Sequence, residues 1–265
     1  MRMRMNKELD DETEKRNLEE VEDKKKKKEI NYSPYEKVKP HFKEMLSHYR
    51  EYPDLFLDSV RSPNALFELA PFQRVYLRTF LRYKKVGMVA SRGISKTYIN
   101  VLSKYVKCIL YPNVHEAIAM PTKNQSAKVT QEKITEIWRD YPMLKNELRN
   151  ISFQKDYVKL TFKNGSTFDT LTVGESSRGL RANGISLEEI VDPRMDRDTI
   201  NEVILPILAQ PRRTRHGVDP NEISLTQSYV TTASHKQSYA YEKFKEIYDE
   251  MVSGRDSILL ITSYE

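Results

Sequence analysis

From Pro34 onward the chain alternates between two hydrophobic periods, one helical and one strand-like, punctuated by Pro, Gly and Asn. Tyr35–Tyr49 and Leu66–Tyr83 carry helical spacing, with breaks near Pro53, Pro63 and Pro71. Val86–Ala90 is a short apolar run closed by a turn signal, which predicts a buried strand. Lys96–Leu110 repeats apolar residues at Ile99, Leu102, Val106, Ile109 and Leu110, the spacing of a helix. Ala117–Met120 predicts a second buried strand, and a helix is expected over 123–139. Tyr157–Phe162 and Thr167–Leu171 alternate around Asn164-Gly165, the strongest hairpin signal in the chain. Ile185–Leu187, Ser228–Thr232 and Ile258–Ile261 predict further strands, with helices over 197–209 and 237–253. Strands separated by helix-length segments predict an α/β fold with a mostly parallel sheet.

Residues 1–31 break this pattern. Asp10–Glu12, Glu19–Asp23 and Lys24–Lys28 are charge runs with almost nothing to bury, which predicts a solvated, flexible tail. The expected organisation is therefore a tail over 1–31, a helical extension over 32–61 and one α/β core over 62–265. The tail also explains a hydrophobic share of only 38%. A net charge of +6 is compatible with a polyanionic partner without establishing one. Cys108 is the single cysteine, which excludes an internal disulfide and any multi-cysteine zinc site. His41, His48, His115, His216 and His235 have no metal-ligand spacing. No apolar run approaches the roughly 18 residues that span a bilayer, and no apolar core follows the basic Met1–Lys7, so a cytosolic protein without membrane contact is expected.

The informative segment is Val86–Tyr98, VGMVASRGISKTY. A strand runs into a short turn, then Lys96-Thr97, then a helix, which is the layout of a phosphate-binding loop. Amides at the helix start cradle phosphates, a Lys reaches the β/γ oxygens, and a Thr hydroxyl holds Mg²⁺. Ala90 and Ser95 stand where the G-x-x-x-x-G-K-[ST] pattern has glycine, and Gly93 lies between them. A non-glycine residue forced into the left-handed region costs about 1–2 kcal/mol, which a fold can carry. Five of the eight glycines fall here and at Gly174, Gly179 and Gly184. Gly184–Glu189 reads as a short apolar strand ending in two carboxylates, one to orient a metal shell and one to polarise an attacking water.

These residues resemble the large terminase subunits of tailed bacteriophages, ATPases that pump DNA into empty capsids. Ala90–Tyr98 resembles that family's Walker A loop, with Ser91, Arg92, Gly93, Ile94, Ser95, Lys96 and Thr97 at the nucleotide. Arg178–Glu189 resembles its Arg-Gly-x-Arg lead-in to Walker B, with Glu188 in place of the usual metal-side Asp and Glu189 as the catalytic Glu. Leu69–Gln73 is similar to the adenine-reading Q motif, through Gln73. Met120–Val129 resembles the segment after the second strand, and Tyr229–Ser234 the coupling motif, with Thr231 and Thr232. The likeness spans about residues 62–262, with all five motifs in the family's order.

The resemblance implies a RecA-like P-loop ATPase core with ATP and Mg²⁺, an arginine finger at Arg178, and double-stranded DNA and a portal protein as partners. It also implies a homo-oligomeric ring that acts in the host cytoplasm, transiently on the viral procapsid. The family's nuclease domain has no counterpart in the sequence, so cleavage is not expected. Two other readings stay open. A helicase-like translocase shares these motifs but normally needs a second such core. A non-hydrolysing DNA-binding or assembly protein on a decayed loop is favoured by Ser95 and Glu188. Arg212, Arg213 and Arg215 cluster in a stretch, Ala209–Glu222, expected to be an exposed loop, where they would touch DNA, a neighbouring subunit or only solvent. Trp138 and the many tyrosines read as packing residues.

Overall fold

The computed structural model describes residues 34–62, 65, 67–174, 177, 179–233 and 238–263, with side chains from His41 onward. Two compact units divide the chain, Met1–Leu46 and Ser47–Glu265, and the described part of the first is the leading stretch of helix α1 (Pro34–Glu51). Two prolines then start two helices, α2 (Pro53–Val60) and α3 (Pro71–Arg82), each at the first helical position, where a missing N–H costs nothing. The expected break at Pro71 is therefore the start of α3, and residues 67–70 are not helical. Asp54 on α2 is buried and accepts from Arg78 Nε and Nη2 on α3, both at 2.7 Å.

The remaining elements are β1 (Lys85–Ala90), α4 (Lys96–Leu110), β2 (His115–Met120), α5 (Lys123–Asp140), β3 (Leu148–Phe153), β4 (Val158–Phe162), β5 (Thr167–Thr172), β6 (Gly184–Glu188), the short hairpin β7 (Arg213–Thr214) and β8 (Gly217–Val218), β9 (Thr226–Thr231), α6 (Tyr239–Val252) and β10 (Ser257–Thr262). Eight strands form one sheet in the order β10-β1-β9-β6-β2-β5-β4-β3. From β10 to β5 all neighbours are parallel, and β5-β4-β3 closes the sheet as an antiparallel meander. This is an α/β core of RecA type, with helices on both faces.

The pleat assigns the faces. Ile185 and Leu187 of β6 and Ala117 and Ala119 of β2 pack into one apolar core with Ile200, Ile204 and Ile207, and with Phe244 and Ile247 of α6. Their alternates, Ser186, Glu188 and Glu116, meet α4 on the other face. The Asn164-Gly165 turn forms as expected, with Gly165 at φ +86°, and Asn164 Nδ2 caps α4 by donating to the Cys108 and Ile109 carbonyls at 2.8 and 3.0 Å.

Two expectations are corrected, and one strand is found that the sequence reading did not assign. The helix over 197–209 is one α-turn, Arg197–Thr199, followed by a π-turn, Ile200–Ile204, and a 3-10 turn, Leu205–Ile207, because Pro206 has no N–H to continue the ladder. Strand β3 is absent from the sequence pattern; its exposed Arg149, Asn150 and Ile151 conceal any alternation. Arg212 is not an exposed residue. It is buried, with Nε 2.5 Å from Glu222 Oε1, Nη2 paired to Glu222 Oε2, and Nη1 2.8 Å from the Pro112 carbonyl. Arg213 and Arg215 are exposed. Trp138 is half-buried and stacked on Phe153, donating its Nε1–H to Tyr105 Oη at 3.1 Å.

Beneath α4 lies a buried charge cluster. Glu116 Oε2 is 3.0 Å from Lys104 Nζ, and Glu116 Oε1 is 2.8 Å from Lys107 Nζ; Lys107 also donates to Thr226 Oγ1 at 2.8 Å. Burial opposes the ionisation of Glu116, yet the two ammonium groups hold its carboxyl below the ordinary range. The site has no room to spare, since a Cβ on Gly184 would collide with both Glu116 oxygens and with Thr226. Glu116→Gln is expected to destabilise the fold by about 3–5 kcal/mol by leaving two buried ammonium groups uncompensated. The wild-type contribution is full above the unfolded carboxyl pKa and lost as pH falls through the lower folded value. Urea unfolding of both proteins between pH 3 and 7 measures it.

Candidate functional site

Strands β1, β9 and β6 end flush. Val89 sits opposite Thr231, and Glu188 opposite Val230, so the strand carrying Thr231 is interposed between the loop after β1 and the carboxylates after β6. The C-terminal ends of parallel strands, where helices begin, are where α/β sheets take ligands.

The loop after β1 is shaped by two residues with positive φ. Gly93 has φ +88° and Ser95 has φ 56°, ψ 26°. Ser95 thus occupies, at some cost, the left-handed conformation its glycine counterpart would adopt freely. Its carbonyl starts α4 by accepting from Ile99 N at 3.0 Å, and its side chain makes no cap. The first-turn amides of α4 are left for a ligand. Ile94 is buried and anchors the loop, Arg92 and Gly93 are exposed, and Ser91 N donates to the Thr262 carbonyl at 3.2 Å.

Lys96 opens α4, where a cation opposes the helix dipole, and only 9% of its surface is exposed. Among the described residues nothing hydrogen-bonds or ion-pairs with its ammonium. The Glu188 carboxylate acts on it through space without a direct pair, so the ammonium keeps its donors free for an arriving anion. Thr97 Oγ1 donates to Glu188 Oε2 at 3.2 Å, and Asn100 Nδ2 donates to Glu188 Oε1 at 2.6 Å. Glu188 is buried, and desolvation pushes its carboxyl up to about 7, with neighbouring Glu189 adding to the rise against the Asn100 and Thr97 hydrogen bonds. A divalent cation would reverse that shift. Glu189 is half-exposed at φ 56°, a second left-handed residue, at the point where the chain leaves β6.

Two buried hydroxyls nearby, Ser91 Oγ and Thr231 Oγ1, have no partner among the described residues. Thr232 lies half-buried beside Thr231. The structure thus brings Ser91 to Thr97, Glu188, Glu189, Thr231 and Thr232 to one end of the sheet. Gln73 is buried, and its Oε1 accepts from Ala70 N at 2.9 Å, closing the start of α3. Arg178 lies outside the described residues, as do Ser234 and residues 1–31. Sequence reasoning missed Asn100 and Ser186, polar residues inside runs that read only as helix and strand. Among the described residues no group of three or more His, Cys, Asp or Glu is placed to hold a metal. The Thr97–Glu188 pair instead suits a cation that brings waters and phosphate oxygens as its other ligands.

No family model matches the sequence, and no curated protein does either. Solved structures do match in fold. Over 82% of this chain and 44% of the other, it superposes on the large terminase of bacteriophage HK97 with a TM-score of 0.58 and 15% identity. Over 74% of this chain and 46% of the other, it superposes on the large terminase of a thermophilic bacteriophage with a TM-score of 0.53 and 13% identity. The chain spans less than half the length of these terminases. At such identities the likeness is one of fold.

Ser95→Gly is expected to leave stability unchanged or raise it by up to about 1 kcal/mol, as relief of left-handed strain slightly exceeds the added unfolded-state entropy. A β-branched Val at Ser95 is expected to cost more than about 1 kcal/mol. Guanidinium midpoints at an unchanged m-value give both numbers.

Proposed function

We propose that this chain is an ATP-hydrolysing motor domain that moves double-stranded DNA into a viral procapsid, as a large terminase subunit does. The observation that carries the ATPase reading is Lys96, an enclosed ammonium at a helix start with no direct hydrogen-bond or ion-pair partner among the described residues, near a buried carboxylate that engages the next residue, Thr97. The packaging role is supported by the shared terminase fold and the order of the motifs.

In this reading the α4 amides and Lys96 bind the β- and γ-phosphates and neutralise charge that builds in the transition state. Thr97 and Glu188 would hold Mg²⁺, which would supply Lewis-acid neutralisation of phosphate charge. Glu189, half-exposed at the strand end, takes the proton of the attacking water. Gln73 reads the base. Thr231, at the end of the strand between the loop and the carboxylates, and Thr232 just past it report the γ-phosphate state to the DNA-gripping surface. Assembly as a ring on a portal, in the host cytoplasm, belongs to the same proposal.

Lys96→Ala is expected to abolish hydrolysis and weaken nucleotide binding. Glu189→Gln should bind ATP normally and lose turnover by about 10²–10⁴-fold. Steady-state phosphate release with Mg²⁺, alongside binding of a fluorescent ATP analogue, separates the two effects. Near-wild-type turnover in Lys96→Ala would remove the phosphate-loop assignment, whereas no turnover in the wild-type protein would favour a non-hydrolysing assembly protein.

Arg178 is proposed to complete the neighbouring subunit's site. Lys96 already serves the phosphates in cis, and a finger supplied in trans typically adds about 10³–10⁵-fold in rate. Turnover should therefore rise steeply with protein concentration. Mixing inactive Arg178→Ala with inactive Lys96→Ala should restore part of the activity, whereas no recovery in a demonstrated co-assembly would place Arg178 in cis or outside the reaction.

A further inference from the structure

We infer that Asn100, braced by Ser186, is a positioning residue that fixes the Glu188 carboxylate for a divalent cation. The inference rests on the nucleotide reading of the site and adds a residue to it. Asn100 is fully buried on α4, one turn beyond Thr97. Its Nδ2 donates to Glu188 Oε1 and to Ser186 Oγ, each at 2.6 Å, and the Ser186 hydroxyl donates back to Asn100 Oδ1 at 2.9 Å.

The chemistry of the three groups determines how the amide is turned. The nitrogen end faces Glu188 Oε1 and suits the ionised carboxylate that a cation requires, since that form can only accept. Ser186 both donates and accepts, which satisfies the other Nδ2 hydrogen and the Oδ1, while the carboxylate sets which end faces it. Because Ser186 and Glu188 alternate along β6 toward the same face, one side chain on α4 reaches both.

The consequence falls on Glu188. With Asn100 on Oε1 and Thr97 on Oε2, rotation about its terminal torsion is blocked. Thr97 commits its single hydroxyl hydrogen to Glu188, which leaves its lone pairs for a cation. A neutral donor is the right kind of brace here. A Lys or Arg at this position would orient the carboxylate equally well while neutralising the charge that the cation needs. A buried Asn that merely filled space could be replaced by Leu, of similar size, without an amide to desolvate.

The test is a Mg²⁺ titration of the full chain at a fixed concentration of a fluorescent, non-hydrolysable ATP analogue. Asn100→Leu is expected to raise the half-saturating Mg²⁺ concentration by about 10–100-fold, the usual effect of removing a group that orients a metal ligand. Ser186→Ala should raise it less, in the same direction, and it carries the test if Asn100→Leu does not fold, as judged by thermal melting without nucleotide. Analogue binding without Mg²⁺ should stay within about twofold of wild type. In a Glu188→Gln background, Asn100→Leu should add no further shift, since its effect passes through Glu188. Folded variants with wild-type Mg²⁺ half-saturation, or an undiminished shift in the Glu188→Gln background, overturn the inference while leaving the nucleotide reading intact. A wild-type protein that binds the analogue with no Mg²⁺ dependence, or not at all, overturns both.

Discussion

Helix α4 is fastened to the sheet by polar contacts along its whole length, and the rest of the core is arranged around that fastening. Thr97 and Asn100 hold β6 through Glu188 and Ser186, while Lys104 and Lys107 hold β2 and β9 through Glu116 and Thr226. At its far end Asn164 and Arg50 close the last carbonyls, with Arg50 Nη2 2.9 Å from the Leu110 oxygen and its guanidinium over the Tyr111 ring. Apolar packing alone would let a helix of this kind slide or roll by small amounts. Directional contacts at both ends remove that freedom. A site built on the first turn of α4 inherits the rigidity that the whole helix provides.

The same arrangement explains why the carboxylate pair is asymmetric. Glu188 continues the strand alternation into the sheet face that meets α4, so it is desolvated and held by neutral donors. Glu189 is the first residue past the strand, in the left-handed region, and remains partly in contact with solvent. Two adjacent residues of identical chemistry thus occupy different dielectric surroundings, the condition under which paired carboxylates divide their roles.

What is legible in the sequence follows from which contacts are local. The hairpin at Asn164-Gly165, the strand before Lys96 and the helix after it rest on turn chemistry and periodicity within a short window, and each forms where expected. The turn that joins that strand to that helix is legible for the same reason. The left-handed Ser95 can be anticipated only as a position that should have been glycine. Asn100 and Ser186 are not legible, because their meaning lies in a contact across 86 residues that no local pattern encodes. Arg212 misleads for the opposite reason. Its neighbours are polar and prolyl, but its guanidinium is drawn inward by Glu222 and the Pro112 carbonyl. The π-turn at Ile200–Ile204 keeps the apolar spacing of a helix while abandoning its hydrogen bonds, so periodicity alone does not reveal it.

The cluster beneath α4 also constrains how such a protein can diverge. Lys104, Lys107, Glu116, Gly184 and Thr226 come from four elements but share one small volume. A change at any one strands a buried charge or crowds its neighbour, so single steps are penalised while a concerted exchange for apolar residues of matching volume need not be. Positions of this kind drift as a block. Over long separations a sheet can then keep its strand order while the residues inside it turn over in sets, and pairwise identity stops reporting on kinship well before the architecture does.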